Sequence, residues 1–223
     1  SPEDLKDVDI MVYDIQDVGT RFYTYISSMQ YFMEAALENN IPMIILDRPN
    51  PNGFYVDGPV LDPKFKTFVG MQPVPVVYGM TTGEYANMIL QEGWLNEAAN
   101  KAYERLKTVR YREGAKFFQL HVIPVANYTH KSLYELPIKP SPNLPDMPSI
   151  YWYASTCFFE GTTLSEGRGT PKPFQYIGHP SMPKNLFSFT PVSTPGAPNP
   201  KHKDKVCYGF DLSGTQNEVL KQI

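Results

Sequence analysis

Two short apolar runs, each ending in an acidic residue, flank a helical pattern within the first fifty residues. The runs are Asp9–Asp14 and Pro42–Asp47, and both have the unbroken apolar character of strands buried in a parallel sheet. Between them, residues 23–39 carry one apolar stripe at helical spacing, which predicts an amphipathic helix. A strand, a helix and a second strand in this order predict a right-handed parallel crossover and hence an α/β fold.

Three further elements and one long loop are predicted downstream. Residues 48–79 are rich in proline and glycine, and a loop of this length in a compact domain is usually functional or disordered. Thr81-Thr-Gly-Glu84 has the composition of a capping box that opens a helix. Residues 98–107 favour another helix, and Phe118–Ile123 is typical of a third strand.

The chain changes character after the third predicted strand. Residues 137–148 contain five prolines, which predicts a linker. We favour a helix for the aromatic stretch 149–159 that follows. The sequence therefore predicts one α/β domain over residues 1–136, and a linker with the first part of a second domain over residues 137–223.

Composition and charge argue against several classes of function. A formal net charge of −3 offers no basic surface over the whole domain, so we expect no nucleic-acid partner. The basic residues between positions 101 and 116 are interpreted as a solvated helix face and its exit. No run of 18 apolar residues exists, so no membrane span is expected. Cys157, Cys207 and the four scattered histidines lack metal-ligand spacing, so no metal site is expected.

The first group of candidate site residues directly follows the first strand. It consists of Asp14, Gln16, Asp17, Arg21, Tyr23 and Tyr25. Ligands of α/β sheets bind beyond the carboxyl ends of the strands, and the N–H groups at a helix start favour an anion. The alternative is a structural turn in which Asp17 and Arg21 pair with each other.

The second group follows the second strand and comprises Asp47, Arg48 and Asn50. Arginine is suited to bidentate recognition of a carboxylate. Asn-Pro-Asn-Gly over residues 50–53 is also a strong turn signal that requires no function. The acids Asp14, Asp17 and Asp47 could in principle hold Mg²⁺ at the strand edge, an alternative that we disfavour.

The third group is the glycine-rich loop 160–170. Glu160 and Glu166 lie six residues apart, and Arg168 stands between two glycines. Cleavage of a glycosidic bond requires a carboxylic acid at the leaving oxygen and a second group that handles water or the anomeric carbon. The alternative is a surface turn with a Glu166–Arg168 pair inside the loop.

Six sequence blocks in one order carry a resemblance to a known family. They are D-I-Q-D-V-G-T-R-F-Y-T-Y-I (14–26), L-D-R-P-N-P-N-G (46–53), D-G-P-V-L-D-P (57–63), V-Y-G-M-T-T-G-E (77–84), P-S-P-N-L-P (140–145) and E-G-T-T-L-S-E-G-R-G-T (160–170). Together they resemble the signature blocks of the exo-β-N-acetylmuramidase (NamZ-type) glycoside hydrolases, a family formerly catalogued as a domain of unknown function.

The resemblance implies both a fold and an activity. It implies a Rossmann-like parallel sheet with helices, followed by part of a smaller α+β domain, with an active cleft between them. It implies release of terminal β-linked N-acetylmuramic acid from the non-reducing ends of peptidoglycan fragments, without a cofactor and in the periplasm or outside the cell. Family chains are longer at both ends, and their Glu-His-Gly block has no counterpart here, so we expect an internal fragment.

The resemblance and the residue chemistry together select the predicted site. The catalytic candidates are Asp14, Asp17, Glu160 and Glu166. The predicted substrate-binding residues are Gln16, Arg21, Tyr23, Tyr25, Asp47, Arg48, Asn50, Asn143, Ser165, Arg168 and Thr170. At least one of the three arginines is expected to pair with the lactyl carboxylate of muramic acid.

Two other classes of function compete with this interpretation. The first is a non-catalytic module that binds peptidoglycan or sugar, because the upstream glutamate block is missing. The second is a nucleotide-dependent α/β enzyme, which we disfavour because no glycine-rich phosphate fingerprint follows the first strand.

Overall fold

The computed structural model of the chain describes residues 2–108 and 117–215. The chain divides into two compact units, Ser1–Tyr134 and Glu135–Ile223. We refer to them as the first unit and the second unit. The sequence predicts a boundary between residues 136 and 137, two residues from this division.

A three-stranded parallel sheet with helices forms the first unit, as the α/β prediction requires. Its strands are β1 (Met11–Tyr13), β2 (Met43–Leu46) and β3 (Leu120–Ile123), in the order β1-β2-β3. Its helices are α1 (Pro2–Leu5), α2 (Tyr25–Glu38), α3 (Thr82–Gln91) and α4 (Glu97–Thr108), with a 3-10 turn at Pro63–Phe65. The predicted strand–helix–strand unit is confirmed, because β1 and β2 pair in parallel.

The core of this unit lies on one face of the sheet. Met11, Tyr13, Met43 and Ile45 are buried and alternate with exposed or partly buried neighbours along β1 and β2. They pack with the predicted apolar stripe of α2, represented by Met29, Met33 and Leu37. A period of two along a strand sends alternate side chains to opposite faces, so this burial pattern defines a covered face.

The opposite face of the same sheet is open within the described residues. The strand register places Val12, Leu46 and Ile123 on it, and all three are exposed large hydrophobic residues. Parallel sheets usually bury both faces under helices. The first unit therefore combines a well-packed face with an aliphatic face that contacts solvent.

The start of α3 confirms the capping-box prediction. The Thr81 side chain accepts from the backbone of Glu84, and the Glu84 side chain accepts from the backbone of Thr81. Two N–H groups that would otherwise lack partners at the helix start are thereby satisfied. The basic side chains Lys101, Arg105 and Lys107 lie exposed on α4 as expected. The remaining basic residues of that stretch, between positions 109 and 116, lie outside the described residues.

The second unit combines a helix with a small antiparallel sheet. Asp146 caps α5 (Met147–Thr156), and a 3-10 helix continues over Cys157–Gly161. The strands β4 (Tyr176–His179), β5 (Phe187–Phe189) and β6 (Cys207–Asp211) pair in the order β4-β6-β5. The helix favoured for residues 149–159 is therefore correct for its first part, while its end adopts the tighter 3-10 form.

Two expectations from the sequence concern membrane spans and the cysteines. None of the helices in the described ranges is long and apolar enough to cross a membrane. Cys157 and Cys207 are both buried.

We expect the two faces of the sheet to respond differently to truncation. Ile45→Ala removes a fully buried side chain, and we expect it to lower the free energy of unfolding by about 2–5 kcal/mol. Leu46→Ala, one residue later on the open face, is expected to cost less than about 1 kcal/mol. Urea denaturation of both variants measures the difference. Equal losses would contradict the assignment of the covered face.

Candidate active site

The two loops that follow β1 and β2 are joined by side-chain hydrogen bonds. Gln16 donates to the carbonyl of Pro49 at 2.8 Å, and Asn52 donates to the carbonyl of Val18 at 2.8 Å. Both donors reach from one loop to the backbone of the other. The structure therefore brings the first two predicted groups of site residues together at the carboxyl edge of the sheet.

Asn50 is the centre of this junction. Its side chain is buried, donates to the carbonyl of Met80 at 2.8 Å and accepts from the backbone of Asn52 at 2.8 Å. A Cβ atom on Gly19 would collide with the Asn50 amide, and Gly19 also has a φ of +76°. These contacts give Asn50 a structural task, and its predicted contact with substrate stays a prediction.

Asp14 and Arg48 form an ion pair at the surface of this edge. Arg48 Nε donates to Asp14 Oδ1 at 2.6 Å, and the side chains are 44% and 43% exposed. The hydrogen bond that Arg48 donates to Asp14 raises the pKa of Arg48. Within the described residues the terminal nitrogens of Arg48 make no hydrogen bond, so they remain available to a ligand.

Asp17 lies in the interior beneath these loops. It is 5% exposed and accepts from the backbone of Gly19 at 2.7 Å and from the Tyr78 hydroxyl. Burial raises the pKa of Asp17 to about 6, against the lowering effect of these two bonds. Its Oδ1 atom has no hydrogen-bond partner among the described residues. The predicted catalytic role of Asp17 remains untested, and the carboxylate faces the protein interior.

Arg21 is buried as well and binds backbone carbonyls. Its Nη1 atom donates to Pro59 at 2.9 Å and to Val74, which ties the loop 57–77 to the start of α2. The neighbouring rings of Tyr23 and Tyr25 are half-buried and pack edge to face with centroids 4.6 Å apart. Arg21, Tyr23 and Tyr25 thus make packing and backbone contacts where the loop after β1 leads into α2.

Asp47, at the end of β2, binds the start of α3. Its carboxylate accepts from the Thr81 hydroxyl at 2.6 Å and from the Gly83 backbone at 2.9 Å. A negative charge at a helix N-terminus is favourable because the first N–H groups are unpaired. Asp47 therefore fixes the helix that borders the site, and its contact with substrate stays a prediction.

In the second unit, the loop 160–170 borders a pocket of about 390 Å³. Arg168 forms an ion pair with Glu160, and its Nε atom is 3.9 Å from Glu166. Lys201 Nζ lies 3.1 Å from the other oxygen of Glu166. The pair that we considered inside the loop, Glu166 with Arg168, is thus a long contact in a network of four charges.

Glu160 and Glu166 have different environments in this network. The Glu166 side chain is 4% exposed and the Glu160 side chain is 31% exposed. Burial, and then the charge of Glu166, raise the pKa of Glu160, although Arg168 and Lys201 oppose the shift. A carboxyl group with a raised pKa holds its proton closer to neutral pH, which is what a general acid requires.

The other predicted residues of the second unit stabilise turns. Ser165 accepts from the backbone of Gly167 at 3.2 Å, and the Thr170 hydroxyl donates to the Gly167 carbonyl at 2.6 Å. Asn143 donates to the carbonyl of Gly196 at 2.7 Å. Their roles toward a substrate stay predictions.

In the two units, the sequence did not indicate three residues that contact the predicted site residues or their loops. Tyr78 binds Asp17 across 61 positions, and Tyr128 binds both backbone groups of Asn50 across 78 positions. Lys201 donates to the carbonyls of Phe159 and Glu160, which fixes the end of the 3-10 helix. No spacing rule connects residues so far apart in sequence, although Tyr78 does lie inside one of the recognised blocks.

Potential metal ligands do not cluster in the described residues, where no three His, Cys, Asp or Glu side chains gather. Asp14, Asp17 and Asp47 bind Arg48, Tyr78 and Thr81 respectively. The magnesium alternative therefore gains no support from the geometry.

Asp17 should make stability depend on pH. Its folded-state pKa of about 6 exceeds the ordinary value of 3.8, so its stabilising contribution is complete below pH 4 and is lost as pH rises through 6. Asp17→Asn should therefore gain stability relative to the wild type between pH 4 and pH 7, by up to about 3 kcal/mol. Thermal unfolding across this range measures the difference.

A second variant serves as a control for this pH effect. Tyr78→Phe removes a hydrogen bond that lowers the folded-state pKa of Asp17, so the upper limit of the pH-dependent window should rise while its lower limit stays in place. A constant stability difference between Asp17→Asn and the wild type from pH 4 to pH 7 would refute the interpretation.

Comparison with known proteins identifies the family to which the chain belongs. A family model described as "Exo-beta-N-acetylmuramidase NamZ, N-terminal" matches residues 1–148, and the corresponding C-terminal model matches residues 151–223. The peptidoglycan β-N-acetylmuramidase NamZ of Bacillus subtilis (strain 168) is 38% identical over 245 aligned residues, which cover 100% of this chain and 53% of that protein.

Two crystal structures of DUF1343 family proteins from Bacteroides fragilis NCTC 9343 are also similar. The first is 48% identical with a TM-score of 0.88, and the match covers 100% of this chain and 58% of the other. The second is 30% identical with a TM-score of 0.75, covering 95% and 54%. The chain thus spans about half the length of the relatives it matches. Its blocks, its fold and these matches agree, and the chain belongs to the exo-β-N-acetylmuramidase NamZ family.

Proposed function

We propose that the protein containing this chain is an exo-acting glycoside hydrolase. It releases terminal β-linked N-acetylmuramic acid from the non-reducing ends of peptidoglycan fragments. Family membership and the β-N-acetylmuramidase activity named for the Bacillus subtilis relative support the muramidase reaction. The proposed substrate is also the reason to place the protein in the periplasm or outside the cell.

The observation that carries the proposal is the arginine at the surface of the sheet edge. N-acetylmuramic acid differs from N-acetylglucosamine by a lactyl group that ends in a carboxylate, and arginine binds carboxylates through paired N–H groups. Arg48 uses Nε for Asp14 and retains its terminal nitrogens for a ligand, within the described part of the chain. In the part of the chain that the structure describes, Asp14 orients the guanidinium through Nε and makes no hydrogen bond with the terminal nitrogens.

The other two predicted arginines are less suited to this task. Arg21 is buried, and its Nη1 atom already donates to the carbonyls of Pro59 and Val74. Arg168 already pairs with Glu160. Of the three arginines, Arg48 therefore binds the lactyl carboxylate with the smallest loss of existing contacts.

The exposure of the carboxylates supports a division of roles among them. Asp14 and Glu160 reach solvent, whereas Asp17 and Glu166 are buried. Glycosidic cleavage needs one carboxyl group that is protonated near neutral pH. Glu160, whose pKa is raised chiefly by burial, is the candidate for such a proton donor within this chain.

Arg48→Ala in the intact protein tests the recognition of muramic acid. We expect KM for a chromogenic muramide to rise about ten- to a hundredfold, because one charge-assisted contact is lost. Turnover of the matching glucosaminide, which lacks the carboxylate, should not change. Arg105→Ala, an exposed arginine on α4, is the control and should leave both substrates unaffected. An unchanged preference in Arg48→Ala rules out this role.

Arg168→Gln tests the role of Glu160 as proton donor. Arg168 lowers the pKa of Glu160, so its removal should raise that pKa further. The alkaline limb of the kcat/KM profile should consequently move to higher pH, while Glu160→Gln should lower kcat by roughly 10²–10⁴-fold. An alkaline limb that stays in place in Arg168→Gln would assign the limb to another group.

A second candidate function applies to this chain by itself, because it spans about half the length of its relatives. A non-catalytic saccharide-binding module would bind N-acetylmuramic acid without turnover. Parallel assays of the intact protein and of residues 1–223 with the chromogenic muramide distinguish the two functions.

A further inference from the structure

The segment 124–134, which follows β3, is attached to the sheet edge at two points. The Tyr128 hydroxyl accepts from the Asn50 N–H at 3.2 Å and donates to the Asn50 carbonyl at 3.0 Å. A Cβ atom on Gly53 would collide with the same hydroxyl, so the absence of a side chain there permits the approach. This first attachment is made of neutral groups.

The second attachment is made by His130. Its Nδ1 atom lies 3.1 Å from the carbonyl of Gly53, and its Nε2 atom lies 3.0 Å from Glu84 Oε1. Both partners accept hydrogen bonds and neither donates. A neutral imidazole carries a proton on only one nitrogen, so it can satisfy one of the two acceptors, whereas the imidazolium satisfies both.

The surroundings of His130 favour the charged form. Glu84 on α3 is the carboxylate in direct contact, and its other oxygen accepts from the Thr81 backbone. Tyr128 packs edge to face against the imidazole, and Asp47 and Glu84 both act electrostatically on that tyrosine. The hydrogen bond to Glu84 is the largest cause that raises the pKa of His130 above its ordinary value.

The attached segment borders the residue proposed to recognise muramic acid. Asn50 and Gly53, which it contacts, belong to the turn 47–53 that also carries Arg48. At its other end, Tyr134 adds a minor electrostatic contribution to the raised pKa of Arg48, of which the bond that Arg48 donates to Asp14 is the dominant cause. Any displacement of the segment therefore changes the surroundings of the Arg48 guanidinium.

We propose that His130 is a positioning residue, and that its protonated form fastens the segment 124–134 over the turn 47–53 and thereby sets the affinity of the site for the muramic saccharide. The proposal rests on the function proposed above. Neither the residue nor the segment belongs to the site predicted from sequence.

The sign of the pH effect follows from the geometry. The protonated imidazole makes both bonds, so the attachment is complete below the ordinary histidine pKa of about 6.5. It weakens as pH rises through the higher pKa of the folded protein. The segment is therefore held most firmly in mildly acidic solution and loosens in alkaline solution.

Two variants of His130 in the intact protein separate charge from shape. His130→Gln keeps a donor but carries no charge, whereas His130→Arg carries a charge at every pH and can donate to both acceptors. His121→Gln on β3 is the matched control, because His121 is an exposed histidine whose ring contacts Gln119. None of these residues has been placed in contact with substrate.

The first measurement is hydrogen exchange of the amides in residues 124–134, expressed as protection factors between pH 6 and pH 9. Protection should fall with pH in the wild type and in His121→Gln. It should be low throughout in His130→Gln and high throughout in His130→Arg. This measurement needs no substrate, so it decides the attachment even if the proposed muramidase activity fails.

The second measurement is KM for the chromogenic muramide over the same pH range. We expect KM in the wild type to rise roughly two- to fivefold relative to His130→Arg, the size of effect that an exposed ion pair produces. In His130→Gln this pH-dependent increase should disappear, with kcat little changed. Wild-type pH dependence retained in His130→Gln or in His130→Arg, in either measurement, would overturn the proposal.

Discussion

The loops after β1 and β2 are buried against each other, and burial obliges their polar groups to find partners. Gln16, Asn50 and Asn52 supply those partners by donating to the backbone carbonyls of Pro49, Met80 and Val18. Without these three amides, the loops would carry unpaired carbonyls, at a cost of about 1–3 kcal/mol for each one that is buried. The exposed Asp14–Arg48 pair has its position because this junction is rigid.

Local signals predicted much of the fold. The strands at 9–14 and 42–47, the amphipathic helix between them and the Thr81–Glu84 capping box all depend on neighbours within a few positions, and all are confirmed. The end of the stretch 149–159 is a 3-10 helix, which the sequence did not predict, and there Lys201 binds carbonyls about forty positions away. Periodicity contains no information about such a partner.

The sequence placed the candidate residues at the strand ends but did not distinguish their environments. Strand-end position identified Asp14, Asp17 and Asp47 equally, yet one is at the surface, one is in the interior and one binds a helix start. What separates them is burial and the identity of distant partners such as Tyr78 and Thr81. The recognised blocks and strand-end position selected these residues, and only coordinates could separate those that contact solvent from those that are buried in the loops.

The open face of the sheet has a consequence for the chemistry at its edge. Leu46 on that face is followed directly by Asp47 and Arg48, and Val12 stands two positions before Asp14. A layer of apolar residues placed on this face would gain about 25 cal/mol for each Å² that it shields. It would also restrain the last residue of each strand. A partner layer that covers Val12, Leu46 and Ile123 would therefore also restrict the motion of the strand end that carries Asp47 and Arg48.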